Sequence, residues 1–447
     1  MRETPAAANP LSRHIRETLV LAGPVIVARF GIVTMTTLGV LVLGRVATGE
    51  LAAYVLGGTL FESLIAVIAG LLLGIPILTA QARGAGRSAD CGAVWRRGMR
   101  YAALVGAIGA AVVQGAEPFY LATGQAPELA RAAGRVTEVL GLALVPVACL
   151  FASTSFLEAL QRPVPGMIAM IAGNITSVLL NLALVPQFGA RGAAWTAVAN
   201  FTLLAVALSL YVRYGLADRA ALGLDRPARG QRQEAAAQRR YGYAAALSYG
   251  FEAGAFSILT LFAGLLGAVA MAAHGIVYQF LVLAFMVALA LATATQVRVG
   301  TAWGAGDRAA MARAGWTGLG LAAVFAASLL VLYASIPAPL VGLFTGDAPV
   351  PGLATAVLPW IALALLFDGG QSVMNQACRG LGDTWIPTFI QFGVYFGLML
   401  PLAFWLAFRV GHGLAGLYEG IVAASVVSLG MLAARFQRLS RALPAQS

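Results

Sequence analysis

The sequence predicts an all-α integral membrane protein of about twelve transmembrane helices, arranged as two pseudo-symmetric six-helix bundles. Three observations carry that expectation. Of 447 residues, 60% are hydrophobic and only 11% charged, whereas a soluble domain carries about a quarter charged residues. The arginines fall between the apolar runs in a one-sided pattern, and the second half of the chain repeats landmarks of the first.

A hydrocarbon core about 30 Å thick takes roughly 20 apolar residues per helix. Runs of that kind start near Leu19, Leu51, Tyr101, Val136, Pro165, Ala193, Ala244, Ala273, Ala314, Gly352, Thr384 and Gly413, leaving no room for a separate soluble domain. Arg13, His14 and Arg16 precede the first run as in a signal peptide. The run is too long for an h-region and lacks a small-residue cleavage site, so the first helix is expected to stay attached.

The formal charge is +11, but the basic residues are dispersed between spans instead of clustered on one solvated face, which argues against nucleic acid. With a cytoplasmic N-terminus, only Arg45, Arg131, Arg135, Arg191 and Arg409 lie outside. The inside segments hold most of the rest, including Arg96, Arg97, Arg100, Arg226, Arg229, Arg232, Arg239, Arg240, Arg435, Arg438 and Arg441. The positive-inside rule therefore places both termini in the cytoplasm. Cys91, Cys149 and Cys378 are too widely spaced for a zinc site or a disulfide framework and read as packing or loop residues.

Gln81-Ala82-Arg83 with Gly84-Ala85-Gly86-Arg87 closes the second span, and Gln296-Val297-Arg298 with Gly304-Ala305-Gly306-Asp307 closes the eighth. Leu51-Ala52-Ala53 matches Met271-Ala272-Ala273, and Leu160-Gln161-Arg162 matches Ala377-Cys378-Arg379. Such self-similarity predicts an N-terminal lobe over 1–215, a cytoplasmic linker over 216–240 and a C-terminal lobe over 241–447. An even number of spans per half makes the repeats parallel, with sites near the midplane and access alternated by rocking of the bundles. The linker contains Gly223, Pro227 and Gly230 and reads as flexible, with anionic lipid as a further possible contact.

Nearly all of the 18 acidic residues sit in polar connections, but Glu252 and Asp368 lie inside apolar runs. An intramembrane carboxylate is costly and usually marks an ion or substrate path. Asp368, Gln371, Ser372, Asn375 and Gln376 share one helical stripe, which must face protein or a wet cavity. Two carboxylates in one cavity share a proton or a cation, since burial and like charge disfavour double ionisation. The blander reading is a pair of neutral, hydrogen-bonded acids acting as interhelical glue.

These residues carry a resemblance. The chain resembles the multidrug and toxic compound extrusion (MATE) family, in its NorM-like branch, along nearly its whole length. The likeness lies in the order of Leu21-Ala22-Gly23-Pro24, Leu51-Ala52-Ala53, the Gln81–Arg87 run, Arg162 with Pro165, Asn181, Gly189-Ala190-Arg191-Gly192-Ala193-Ala194-Trp195, Glu252-Ala253-Gly254-Ala255-Phe256, Arg298-Val299-Gly300, and Asp368 with Arg379-Gly380. It implies that Glu252 and Asp368 form a cation site, binding Na⁺ if the chain is sodium-coupled. Gly39 stands where the family often has a first-helix Asp, so a proton route built on that Asp is expected to be absent or rerouted.

Among weaker candidates, Arg29 is expected to pair with Glu62 or to point into water, and Glu158 to bridge Arg162 at i,i+4. Asn174, Ser177 and Asn181 form a second polar stripe, as glue or cavity lining. Tyr278, Gln279, Phe280, Phe285, Phe367, Phe389, Phe392 and Tyr395 offer faces for a flat organic cation or simply pack. His14, His274 and His412 read as loop or interface residues. No nucleophile–base set or nucleotide loop is present, which excludes the usual enzyme classes and favours secondary transport.

These readings together predict a monomeric multidrug antiporter of a bacterial inner membrane. It exchanges small organic, often cationic, compounds for Na⁺ or H⁺, embedded in lipid and with no other cofactor. A flippase for lipid-linked saccharides and a non-transport receptor are the alternatives.

Overall fold

A computed structural model describes residues 10–46, 50–226, 232–344 and 350–442. Pro227, Arg229, Gly230 and the side chain of Arg232, all in the expected linker, lie outside the described residues.

Sixteen α-helices are present among the described residues: α1 (Pro10–Val46), α2 (Leu51–Leu71), α3 (Gly74–Gly84), α4 (Cys91–Val112), α5 (Ala116–Ala122), α6 (Pro127–Gly141), α7 (Leu144–Ala159), α8 (Val164–Leu210), α9 (Arg232–Leu265), α10 (Ala268–Gly304), α11 (Arg308–Ser335), α12 (Pro337–Gly342), α13 (Val350–Gly380), α14 (Trp385–Val394), α15 (Leu400–Phe404) and α16 (Gly413–Ala442). Ten described stretches are long and apolar enough to cross a membrane. The pair α6 and α7, bent by 43°, adds an eleventh.

The stretch Val164–Gly215 has 52 residues, roughly 78 Å of helix at 1.5 Å per residue, more than twice what one crossing needs. It is broken at Gly189, which sits at φ 56° and ψ −133° and separates two crossings. Twelve spans result among the described residues. The fourth differs from the sequence reading, which began it near Val136: it starts at Pro127 and bends after Gly141. The Glu50 carboxylate accepts a 2.6 Å hydrogen bond from the Ala190 amide, the first orphan donor of the sixth span. A Cβ on Gly189 would overlap that carboxylate.

Leu104, Ile108, Leu179, Leu182, Leu261, Val324, Val331 and Trp405 point outward. So much exposed apolar surface is stable against lipid tails but not water. The described residues form two compact units. One is Pro24–Tyr249; the other joins the chain up to Gly23 to the chain from Gly250 onward. Helices α1 and α9 each change unit partway along their length.

In the Pro24–Tyr249 unit, α2 and α3 cross the start of α9 at small residues. A Cβ on Gly70 would lie 2.5 Å from Ala246 Cα, one on Gly74 would overlap the Gln238 carbonyl, and one on Gly242 the Leu71 carbonyl. Small residues allow backbones to approach this closely, which is how packing substitutes for hydrophobic driving force in lipid. Residues 216–226 dock against α4. The Gly92 amide donates to Leu222 O at 2.8 Å, Arg96 donates to Gly223 O and Leu224 O at 2.8 and 3.0 Å, and Leu222 and Leu224 are buried.

Candidate ion and substrate site

Asp368 and Glu252 belong to the same unit. Asp368 sits near the middle of α13, 3% exposed, with fully buried Gln371 one turn along. Gln371 Nε2 donates to Asp368 Oδ1 at 2.5 Å and to the Tyr395 hydroxyl at 2.9 Å, and Ser425 of α16 lies 3.5 Å from the same Oδ1. Tyr395 opens a π-helical turn, Tyr395–Met399, after α14. A wider turn of this kind re-aims a side chain inside a helix and recurs at functional sites.

Glu252 projects from α9 close enough for its charge and that of Asp368 to act on each other, and both act on Tyr278 and Tyr395. Phe256, one turn beyond Glu252, bridges the two tyrosines with ring centroids 6.3 and 6.5 Å away. Asn375 Oδ1 and Gln371 Oε1 are buried acceptors without a hydrogen-bond partner among the described residues. Buried polar atoms of this kind are uncommon in native structures. Two carboxylates and the Gln371 carbonyl on α9 and α13 make an oxygen-rich donor set that suits a hard monovalent cation or a proton, whereas Asn375, about 10 Å further along α13, lies outside that set. Among the described residues no three His, Cys, Asp or Glu side chains cluster as a metal site.

Gln279 is exposed and Tyr278 half-buried. Phe280 packs instead against Tyr333 and Phe344. Phe389 is largely exposed. In the other unit, Asn181 is buried, donates to Ser177 O at 2.9 Å and leaves Oδ1 without a partner. A Cβ on Gly39 would lie 3.5 Å from the Tyr54 hydroxyl and 4.0 Å from Asn181 Nδ2, so the position of the missing Asp faces a polar pair.

Several expectations are corrected. Arg29 does not bridge Glu62. It makes no ion pair among the described residues, and the acid its charge acts on is buried Glu158. The cost of an intramembrane charge calls for a partner but does not fix the direction of each side chain around its helix. Glu158 in turn does not bridge Arg162, because α7 ends at Ala159 and Gln161 turns the chain with φ 59°. Arg162 pairs bidentately with Asp218 at 2.6 and 2.9 Å. Bonding from that guanidinium holds the Asp218 carboxyl below its ordinary range.

His274 and His14 are more enclosed than loop residues, whereas His412 is an exposed loop residue as expected. His274 is buried in the second turn of α10, with the Tyr418 hydroxyl 2.7 Å from Nδ1 and Thr260 Oγ1 3.2 Å from Nε2. His14 lies on α1, where Arg298 Nη2 is 2.5 Å from its Nδ1 and Arg313 Nε donates to Nε2 at 3.1 Å. Buried Arg298 also donates to Glu17 at 2.8 Å and to His14 O at 2.9 Å. Nothing in the sequence pattern signals this cluster, although Arg298 is a landmark of the repeat. His412 pairs with Glu419 at 2.7 Å.

Twelve helical spans among the described residues and a polar cluster holding buried Asp368 and half-buried Glu252 define the class: a multi-pass membrane transporter. The comparisons with known proteins go one step further. A family model described as MatE matches twice, over residues 24–183 and 244–405, and the chain belongs to the MATE family, whose members are transporters and not enzymes.

The chain is 36% identical to "Probable multidrug resistance protein NorM" of Caulobacter vibrioides, covering 96% of this chain and 93% of that protein. It is 32% identical to "Multidrug resistance protein NorM" of Burkholderia vietnamiensis, covering 97% and 96%. Among solved structures, an outward-facing multidrug resistance MATE family transporter of the MOP superfamily superposes with a TM-score of 0.87 at 17% identity, covering 99% of each chain. The eukaryotic MATE transporter AtDTX14 superposes with 0.85 at 19% identity, covering 97% and 98%. These two matches speak to the fold.

Proposed function

We propose that this protein is a multidrug efflux antiporter that exports organic, often cationic, compounds in exchange for Na⁺ or H⁺ bound at Glu252 and Asp368. The observation that carries the reading is the cluster of Glu252, Asp368, Gln371 and Tyr395: two acids, an unpartnered Gln371 carbonyl and a hydroxyl inside the membrane-spanning part of one unit. An arriving cation or proton brings the pair close to neutrality and removes the like-charge repulsion that otherwise makes their burial costly. Binding therefore favours the conformation in which the pair is most enclosed, which is what coupling requires.

One charge crossing 100 mV supplies about 2.3 kcal/mol, enough for a concentration ratio of several tens for a neutral substrate. The relatives named multidrug resistance proteins support organic substrates. The inner membrane of a bacterium, cytoplasmic termini and a monomer complete the reading, on the bacterial relatives and the arginine distribution. Two lobes over 1–215 and 241–447 joined through 216–240 are part of the proposal, supported by the double family match.

The test is efflux from vesicles with Na⁺ and pH gradients imposed separately. Glu252→Gln and Asp368→Asn each keep side-chain size and lose charge, and each is expected to abolish gradient-driven efflux while the protein still folds and inserts. Normal gradient-driven efflux by either variant would remove the pair from the mechanism.

A further inference from the structure

His274 has no part in the site as described, yet it is 5% exposed and both ring nitrogens are engaged. Thr260 of α9 has one hydroxyl proton and donates it to Phe256 O at 3.1 Å. Toward His274 Nε2 it can then only accept, so Nε2 carries the imidazole proton and Nδ1 accepts from the Tyr418 hydroxyl of α16. The ring is thus pinned from two helices in one tautomer and one orientation.

The face of this pinned ring lies on Tyr278, one turn further along α10, with centroids 5.6 Å apart and planes 26° from parallel. Tyr278 is half-buried, packs against Phe256 and feels the charges of both Glu252 and Asp368. A half-buried tyrosine has room for other rotamers, and a fixed flat neighbour selects among them.

We propose that His274 is a positioning residue of the ion site: by stacking on Tyr278 it holds that ring against Phe256, one turn from Glu252, and its loss weakens binding of the coupling cation although it never touches the ion. The proposal rests on the assignment of coupling to Glu252 and Asp368. Tyr278 contributes a polarised ring face and a hydroxyl dipole to the cation's surroundings. His274 contributes only the fixed orientation.

The experiment uses full-length protein in proteoliposomes, with efflux of ethidium driven by a Na⁺ gradient at fixed pH and by a pH gradient at fixed Na⁺. The readout is the driving-ion concentration that gives half-maximal rate. His274→Leu removes the stack and both hydrogen bonds, and is expected to raise that concentration about five- to tenfold, with the rate at saturating ion nearly unchanged. Tyr278→Leu should produce a similar rise, and adding His274→Leu to it should produce no further rise. His274→Phe keeps a flat ring over Tyr278 and should recover most of the affinity.

A purely structural role for His274 predicts less folded protein with an unchanged half-maximal concentration, or effects that add to those of Tyr278→Leu; either result overturns the proposal. If His274→Leu does not fold, a wild-type half-maximal concentration in His274→Gln, which has no ring to stack, overturns it equally. Glu252→Gln and Asp368→Asn run alongside. Normal coupled efflux by them removes the site and the proposal together, whereas loss of coupling beside an unaffected His274→Leu removes the positioning role alone.

Discussion

Replacing Gly70 by alanine adds one methyl group where α2 crosses the start of α9. The new carbon would lie 2.5 Å from Ala246 Cα, 2.7 Å from Ala246 N and 3.0 Å from the Ala245 carbonyl carbon. Non-bonded carbons settle at about 3.5 to 4.0 Å, so the helices must part by about 1 Å. All three opposing atoms are backbone, and no side chain can swing away. Overpacking of this kind costs about 1 to 3 kcal/mol, partly masked because alanine is a better helix former than glycine by about 1 kcal/mol.

Gly58→Ala, on the same helix with nothing within 4 Å, gains the helix propensity without the clash. The difference between the two variants therefore isolates the crossing, at about 1 to 3 kcal/mol in favour of Gly58→Ala. For a unit of this length that corresponds to roughly 2 to 10 °C in unfolding midpoint. Thermal unfolding in detergent, followed by fluorescence-detected size exclusion, measures it. A Gly70→Ala protein melting no lower than Gly58→Ala would refute the close approach and the account of α2–α9 packing built on it.

Three further outcomes are expected. Arg298→Leu strips Glu17, His14 and Thr18 of their shared donor and should lower stability by about 1 to 3 kcal/mol, the lower end reflecting the exposure of Glu17; an unfolding midpoint equal to wild type would contradict the cluster. The depressed carboxyl of Asp218 contributes stability that is present above the ordinary Asp value near 3.9 and lost as pH falls through its folded value. Because the pair is partly exposed, Asp218→Asn should cost about 0.5 kcal/mol at pH 7, with the gap closing on acidification toward pH 3; a gap that widens there would reverse the sign of the argument. With Gly39 lacking a carboxylate, Glu62→Gln should leave the ion dependence of efflux intact, and a changed coupling ion in that variant would place a coupling acid on α2.

The number of spans was legible because lipid demands about 20 apolar residues wherever the chain crosses, and the carboxylate stripe on α13 because helical period alone puts Asp368, Gln371 and Asn375 on one face. Neither rule depends on which helices become neighbours. What the sequence concealed did depend on that. The sequence offers Glu62 as a partner for Arg29, yet the acid within its influence is Glu158, from a span two further on. His274 looked like a loop edge because hydropathy blurs where a span begins, and only the placement of Tyr418, 144 residues later, makes it a buried acceptor. Tyr395 became part of the site through a π-helical turn, a one-residue widening with no compositional signature.

The exchange of helix segments between the two units sets the order in which this protein can be made. His14 and Arg298 are 284 positions apart, so at 5 to 20 residues per second the first helix waits roughly 15 to 60 s after synthesis for its partner. The unit that begins at Pro24 likewise lacks the start of α9 until residues 232–249 have been made. Neither unit is therefore complete when the first six spans have been inserted, and each closes only once part of the second half exists. A nascent chain stalled before residue 232 exposes two unfinished packing faces to membrane proteases.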